Sequence, residues 1–161
     1  MTINNKRTAF KTRTRSFFLA IIAALFIIVI LVSGWFENPI LGMEKQHYTF
    51  IVLGIYLIIS VFFYILDLNY IFYNDDGDKL IFRFSSLRIM SKTKKAYEVP
   101  KQKFLGYQVS KSFFGLKKHL ILFQSQNNKK AKYPPVSISS LTKNELTKLI
   151  SSLRKNSKGN Y

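Results

Sequence analysis

The sequence predicts a membrane helical hairpin of two transmembrane helices, followed by an α+β domain with an antiparallel sheet or barrel of six to seven strands and one C-terminal helix. Three observations predict it: two long uncharged apolar runs, short alternating runs separated by turn residues, and an apolar stripe at helical spacing near residue 150. The net charge is +17, yet 48% of the 161 residues are hydrophobic. Charge and apolarity must therefore occupy separate parts of the chain.

Both apolar runs are long enough to cross a bilayer. Residues 17–36 contain no charged residue, and a helix of that length spans about 30 Å, the hydrocarbon thickness of a membrane. A cleaved signal peptide is disfavoured, because its apolar core would be shorter. A second uncharged run begins at residue 48, and we predict the second transmembrane helix over 48–68. The short external loop, 37–47, makes the two helices antiparallel.

The flanking charges predict the orientation. Residues 1–16, predicted as a basic cytoplasmic N-terminal tail, hold five basic residues and no acid, whereas the loop holds only Lys45 against two glutamates. Because basic residues stay on the cytoplasmic side, both termini and the C-terminal domain are expected in the cytoplasm, on the inner face of the cytoplasmic membrane. The linker after the second run is so short that we expect the domain at the surface of that leaflet.

The segment 69–155 has the pattern of a strand meander closed by one helix. Asp76-Gly77 supplies the positive φ that a tight hairpin turn needs. Thr142 and Glu145 form a capping box, and the apolar stripe that follows is expected to pack on the sheet as a lid rather than to form a partner-binding groove. Residues 156–161 are predicted as a flexible tail.

Four stretches carry a resemblance to a known class: "DGDKLIFRF", "KSFFGLKKHLILFQ", "AKYPPVSIS" and "LTKNELTKLISSL". With the element order, they resemble bacterial membrane proteins in which two transmembrane helices run into a C-terminal pleckstrin-homology-like (PH-like) domain. The resemblance implies a PH-like fold and no catalytic motif. Eukaryotic PH domains often hold phosphoinositides with basic residues near the first hairpin, and Lys79 and Arg83 lie in the corresponding region. The acidic turn beside them disfavours an anion there.

Composition removes most kinds of catalytic and metal chemistry. Without cysteine there is no disulfide, thiol nucleophile or Cys-based zinc site, and the only histidines are His47 and His119. The acids at 75, 76 and 78 are explained by turn chemistry, since an EF-hand loop would end in a glutamate where Ser85 stands. We find no phosphate-binding loop or serine-nucleophile motif. We expect no enzyme activity, no cofactor, no metal and no small-molecule substrate.

The remaining signal is basic charge. Residues 69–161 hold 19 basic and 5 acidic side chains. Lys92, Lys94 and Lys95 are the candidate anionic-lipid contact, because each lysine that reaches an anionic leaflet contributes about 1 kcal/mol. A merely solvated face is the alternative. Membrane tethering and the absence of a recognition helix or stacking motif argue against nucleic acid.

Two functions follow from these residues. The first is a membrane-anchored interaction or scaffold module, an accessory or assembly subunit that docks a membrane-protein partner at the cytoplasmic face. Phe113 and Phe114, in a predicted turn beside Gly115, are the candidate docking point, unless they cap the core of the sheet. The second is an anionic-lipid-responsive module that uses the basic loops. Two uncharged helices are too few for a pore or transporter.

Overall fold

A computed structural model describes residues 1–34, 43–88, 91, 94–126 and 129–158. They form a helical unit, residues 12–65, and a sheet domain made of residues 1–11 and 66–161. The long helices are α1 (Lys6–Val32) and α2 (Lys45–Leu66). Both are long and apolar enough to cross a membrane, with mean hydropathies of 2.8 and 2.6 over their most apolar stretches. No residue of α2 is buried within the protein, so its apolar side chains are partly or fully exposed on its surface.

The sheet domain contains two antiparallel sheets. The first sheet has the order β1 (Thr2–Asn4), β2 (Asn69–Asn74), β3 (Lys79–Ser86) and β4 (Lys94–Pro100). In the second sheet β6 (Lys117–Gln126) pairs with β5 (Phe104–Ser112), β7 (Lys129–Lys132) and β8 (Val136–Ser137). Over the described residues these sheets stay separate and do not close into a barrel. Gly77 has a φ of 77°, which confirms the predicted turn between β2 and β3.

One core joins the two sheets and the last helix, α3 (Lys143–Asn156). Its largest fully buried side chains include Tyr73 and Phe82 from the first sheet and Phe104 from the start of the second. Leu149 and Leu153 of α3 are also fully buried in this core. The predicted lid is therefore confirmed, and so is its capping box, in which Thr142 and Glu145 satisfy each other's backbone donors.

The N-terminal segment corrects the prediction of a basic tail over 1–16. Thr2–Asn4 is an edge strand of the first sheet, with Ile3 only 4% exposed, and α1 begins at Lys6. The count of basic residues gave no indication of this strand. Three residues are too few to show the alternation of apolar and polar side chains that marks a strand. The domain therefore has eight strands among its described residues, one contributed from before the first helix.

Asn5 fixes this strand to the rest of the domain. The buried Asn5 side chain donates through Nδ2 to the carbonyl oxygen of Asn69 (3.2 Å) and to Oγ of Ser140 (2.9 Å), and accepts through Oδ1 from the amide of Ile71 (2.8 Å). Its backbone carbonyl accepts from the amide of Ala9 (2.9 Å), so Asn5 lies directly before the first turn of α1. Burying a polar group without a hydrogen-bond partner costs free energy, and the side chain of Asn5 and the groups that it contacts provide partners for one another.

Replacing Asn5 tests this junction. We expect Asn5→Ala to lower the free energy of unfolding of the sheet domain by about 2–3 kcal/mol, because buried backbone groups lose their partners. Denaturant unfolding of the full chain in detergent micelles measures it. Thr2→Ala, at an exposed position of the same strand, is the control and should change little. Equal losses in the two variants would contradict the role given to Asn5.

A second polar network lies at the other end of β2. Oγ of Ser152 in α3 bonds the hydroxyl of Tyr73 at 2.7 Å and donates to the carboxylate of Asp75, which also receives the ammonium of Met1. Burial opposes ionisation of Asp75, but these hydrogen bonds and the charges of the ammonium and of Lys101 outweigh it and lower the pKa of this carboxyl. Burial raises the pKa of Tyr73 to about 12. The network ties α3 to the first hairpin.

This network predicts an acid-sensitive contribution to stability. Because the folded pKa of Asp75 lies below that of the unfolded chain, about 3.9, its contribution is present above that value and is lost as the pH falls through the folded pKa. We expect the unfolding temperature of the wild type to fall in this range, and Asp75→Asn to be less stable at pH 7 with a flatter acid limb. Asp78→Asn, at an exposed position of the same turn, should keep the wild-type acid limb.

Candidate binding surfaces

The outer face of the first sheet is the face opposite the core. Because side chains alternate along a strand, β2 places Tyr70 and Phe72 on this face while Ile71 and Tyr73 enter the core. The strand register then puts further residues beside them: Asn4, Ile81, Arg83, Ser85, Lys94, Ala96 and Glu98. The last helix, α3, packs with the core on the opposite face of this sheet.

An open groove of about 530 Å³ runs across this face, and we call it the basic–aromatic groove. The half-buried rings of Tyr70 and Phe72 contribute its apolar part. Its cationic lining comes from Arg83 on β3 and from Lys94 and Lys95 at the start of β4, all three exposed. Aromatic surface next to unpaired cations is suited to a ligand that carries both apolar groups and negative charge.

The positive charge of the groove is not neutralised from within the domain. Among the described residues, no carboxylate lies within ion-pair distance of Arg83, Lys94 or Lys95. On the same face, Lys79 already pairs with Glu98 at 3.2 Å. Lys79 and Arg83, which the PH resemblance singled out together, therefore differ: one is paired with an acid and the other faces the groove.

The predicted lysine cluster is only partly assembled. Lys92 lies outside the described residues. Lys94 is opposite Ser85 and Lys95 opposite Phe84, so the two lysines leave opposite faces of β4. Lys94 therefore shares the outer face with Arg83, which charge clustering alone did not predict. The aromatic part of the groove was missed as well, although the alternation of β2 contains the signal. Lipid contact by these lysines stays a prediction.

Phe113 and Phe114 lie at the connection between β5 and β6. We call residues 113–116 the hairpin tip. Phe114 is 101% exposed, and Phe113 and Leu116 are 43% and 50% exposed. The alternative in which these rings cap the core of the sheet is therefore wrong for Phe114. The hairpin tip presents apolar side chains to its surroundings.

The backbone of the hairpin tip is strained. Phe113 and Phe114 have φ values of 53° and 54°, and Gly115 has 81°. The amide of Gly115 donates to the carbonyl of Ser112 (3.2 Å), closing a turn with positive φ at both central positions, as in type I′ turns. Such positions favour Gly, Asn or Asp, and a bulky side chain there costs roughly 1–2 kcal/mol. Strain of this kind collects at functional sites.

Lysines surround the base of the hairpin tip. Lys111 and Lys118 are directly opposite in the register of β5 and β6, so two like charges share one face, and Lys117 follows the tip on the other. Between Glu98 and Glu145 the chain has nine lysines and no acid, a signal that was readable in the sequence. None of these three lysines has a carboxylate partner in the part of the chain that the structure describes.

His119, next to these lysines on β6, has no metal-site surroundings. Partial burial and the charge of Lys117 lower its pKa, while Asp67 acts in the opposite direction, so its imidazole is neutral at pH 7. No group of three His, Asp or Glu residues that could hold a metal ion occurs among the described residues.

No protein-family model, no curated protein and no solved structure matches the chain.

Substitutions at Phe114 and Gly115 distinguish the effect of the Phe114 ring on stability from the effect of the strained backbone. Phe114→Ala should change the unfolding temperature of the sheet domain little, because the ring is fully exposed and its ring contact is with Phe113 of the same turn. Phe114→Asn should raise the free energy of unfolding by about 1 kcal/mol, because asparagine tolerates positive φ. Gly115→Ala should lower it by about 1 kcal/mol through backbone strain alone, since its Cβ would meet open space. A destabilised Phe114→Ala variant would show that the ring packs against the domain.

Proposed function

We propose that this chain is a membrane-anchored interaction module, an accessory or assembly subunit of a membrane complex. In this proposal α1 and α2 span the cytoplasmic membrane. The sheet domain, a PH-like domain on the cytoplasmic side, docks an acidic segment of a membrane-protein partner in the basic–aromatic groove. The observation that carries the proposal is the groove itself, which joins an aromatic lining to three cations that have no carboxylate partner among the described residues.

The membrane part of the proposal is supported by length, composition and exposure. Both long helices pass the length and hydropathy requirements of a span, and their apolar side chains are mostly exposed. An apolar surface of this extent is stable in lipid rather than in water. The PH-like assignment is supported by the order of elements, three antiparallel strands, a second antiparallel sheet and a closing helix.

Charge and shape together favour an acidic peptide segment in the groove. The guanidinium of an arginine such as Arg83 can form bidentate hydrogen bonds with a carboxylate of a ligand, and Lys94 adds a point charge on the same face. The rings of Tyr70 and Phe72 provide apolar area at low entropic cost, as in many protein interfaces. β4 is an edge strand of its sheet, so an extended peptide segment that pairs with it would lie within reach of Lys94 and Lys95.

Gentle detergent extraction of the tagged full-length protein tests the docking. We expect a stoichiometric membrane-protein companion, and a drop of about tenfold or more in its capture by the Arg83→Ser/Lys94→Ser double variant. Lys79→Ser is the matched control, because it removes a charge from the same face that already has an acidic partner. It should retain the companion.

Two results would contradict this assignment. If the double variant keeps the companion and Phe114→Ala loses it, the partner docks at the hairpin tip. If no companion is found, and salt-sensitive binding to anionic vesicles disappears in the double variant, the groove binds lipid headgroups instead of a protein.

A further inference from the structure

We propose that the hairpin tip inserts its phenylalanine rings into the interfacial region of an anionic bilayer, as a second membrane attachment besides the helices. The occupant of this exposed apolar surface is the lipid surface itself. This inference goes beyond partner docking in the groove, and it is tested on different residues.

The side chains of the hairpin tip have the chemistry of an interfacial anchor. Exposed aromatic rings gain free energy by entering the headgroup region, and Phe114 is fully exposed, with the edge-to-face ring of Phe113 beside it. Phe113 and Leu116 enlarge the same apolar surface. The positive φ of the two phenylalanines goes with a turn that keeps both residues at the apex of the hairpin, at a cost in backbone strain.

The lysines beside the tip select a negatively charged surface. Lys111 and Lys118 repel each other across the ladder and find no carboxylate among the described residues, so their repulsion is relieved by an external anion. Lipid phosphates and anionic headgroups supply such charges in a plane, below which the rings enter apolar surroundings. Long lysine side chains can extend to that plane from the flanks of an inserted loop.

The hairpin tip lies at the connection end, the end of the sheet domain at which the chain passes to α1 and returns from α2. The amide of Lys118 donates to Oγ of Ser139 (2.9 Å), and the adjacent Ser140 bonds both Asn5 and Asn69. Asn5 precedes α1 directly, and Asn69 follows α2 after two residues. Chain connectivity thus puts the tip at the end that a membrane helix would hold nearest the bilayer.

The acidic side chains of the first hairpin lie at the end of the domain that this attachment keeps away from the bilayer. Asp75, Asp76 and Asp78 lie in the turn at the opposite end of β2 from Asn69. At the connection end, Asp67 is paired with Arg88 at 3.1 Å, and Glu145 accepts the capping hydrogen bonds of Thr142 at the start of α3. An anionic surface therefore attracts the connection end and repels the acidic turn.

Site-directed fluorescence on the full chain tests the insertion. Trp35 is the single tryptophan, so Trp35→Phe removes the native tryptophan fluorescence. In that background, Phe114→Trp places an indole at the tip, and Asp78→Trp places one in the exposed acidic turn as the matched control. Both are reconstituted in vesicles of phosphatidylglycerol and phosphatidylcholine that contain lipids brominated in the upper acyl chain. We expect blue-shifted emission and loss of most fluorescence for the indole at 114, and water-like, unquenched emission for the indole at 78.

Other outcomes overturn the proposal in distinguishable ways. An indole at 114 that is quenched by aqueous iodide and not by brominated lipid lies in water. One that is protected from both quenchers lies against protein, a partner or a second copy. Quenching by brominated lipid that is equal in purely zwitterionic vesicles and unchanged by Lys111→Ser/Lys118→Ser overturns the selection of an anionic surface. Capture of a companion by the groove does not depend on any of these results.

Discussion

The buried amide of Asn5 is the contact on which the arrangement of the sheet domain depends. Its side chain joins three segments that are distant in sequence: the start of α1, the start of β2 and the turn before α3. A carboxylate, a hydroxyl or an apolar group of similar size cannot donate and accept in this pattern. Asn5 also directly precedes α1, and its carbonyl accepts from the amide of Ala9 in the first turn of that helix.

The two candidate surfaces, the basic–aromatic groove and the hairpin tip, differ in how their aromatic side chains are held. In the basic–aromatic groove, the rings of Tyr70 and Phe72 are half-buried and positioned by a regular strand, so ligand contacts meet a rigid face. At the hairpin tip, Phe113 and Phe114 are held outward by an unfavourable backbone. The first surface favours specificity through geometry, whereas the second favours adhesion to a fluid surface, where exact complementarity is not needed.

Much of this fold could be predicted because strong local signals agree with one another. The Asp-Gly turn at Gly77, the capping box at Thr142 and the stripe through Leu149 each specify an element without help from distant residues. β1 could not be predicted, because its partner strand lies beyond two long helices and its own pattern is one buried side chain, Ile3. Its stability comes from tertiary hydrogen bonds rather than from local propensity.

The candidate sites were less predictable, for a related reason. Alternation along β3 placed Arg83 on the outer face, but the register of β4, which brings Lys94 beside it, depends on a connection whose length sequence patterns do not fix. Periodicity also ends at a turn, so it could not decide whether Phe114 folds back or stands free. Its exposure follows from the positive φ angles of the turn. Two consecutive phenylalanines do not predict such angles, because positive φ is usually found at Gly, Asn or Asp.

The pairing of β1 with β2 has a consequence for biosynthesis. Asn5 and Asn69 are 64 positions apart, and Asn5 and Ser140 are 135 apart, so the first strand leaves the ribosome long before its neighbours exist. Both apolar helices are translated in the interval. The first sheet can therefore close only after both long helices have been synthesised, and an unfinished chain holds an unpaired strand edge until then. Folding of the sheet domain is thereby made to wait for synthesis of both helices.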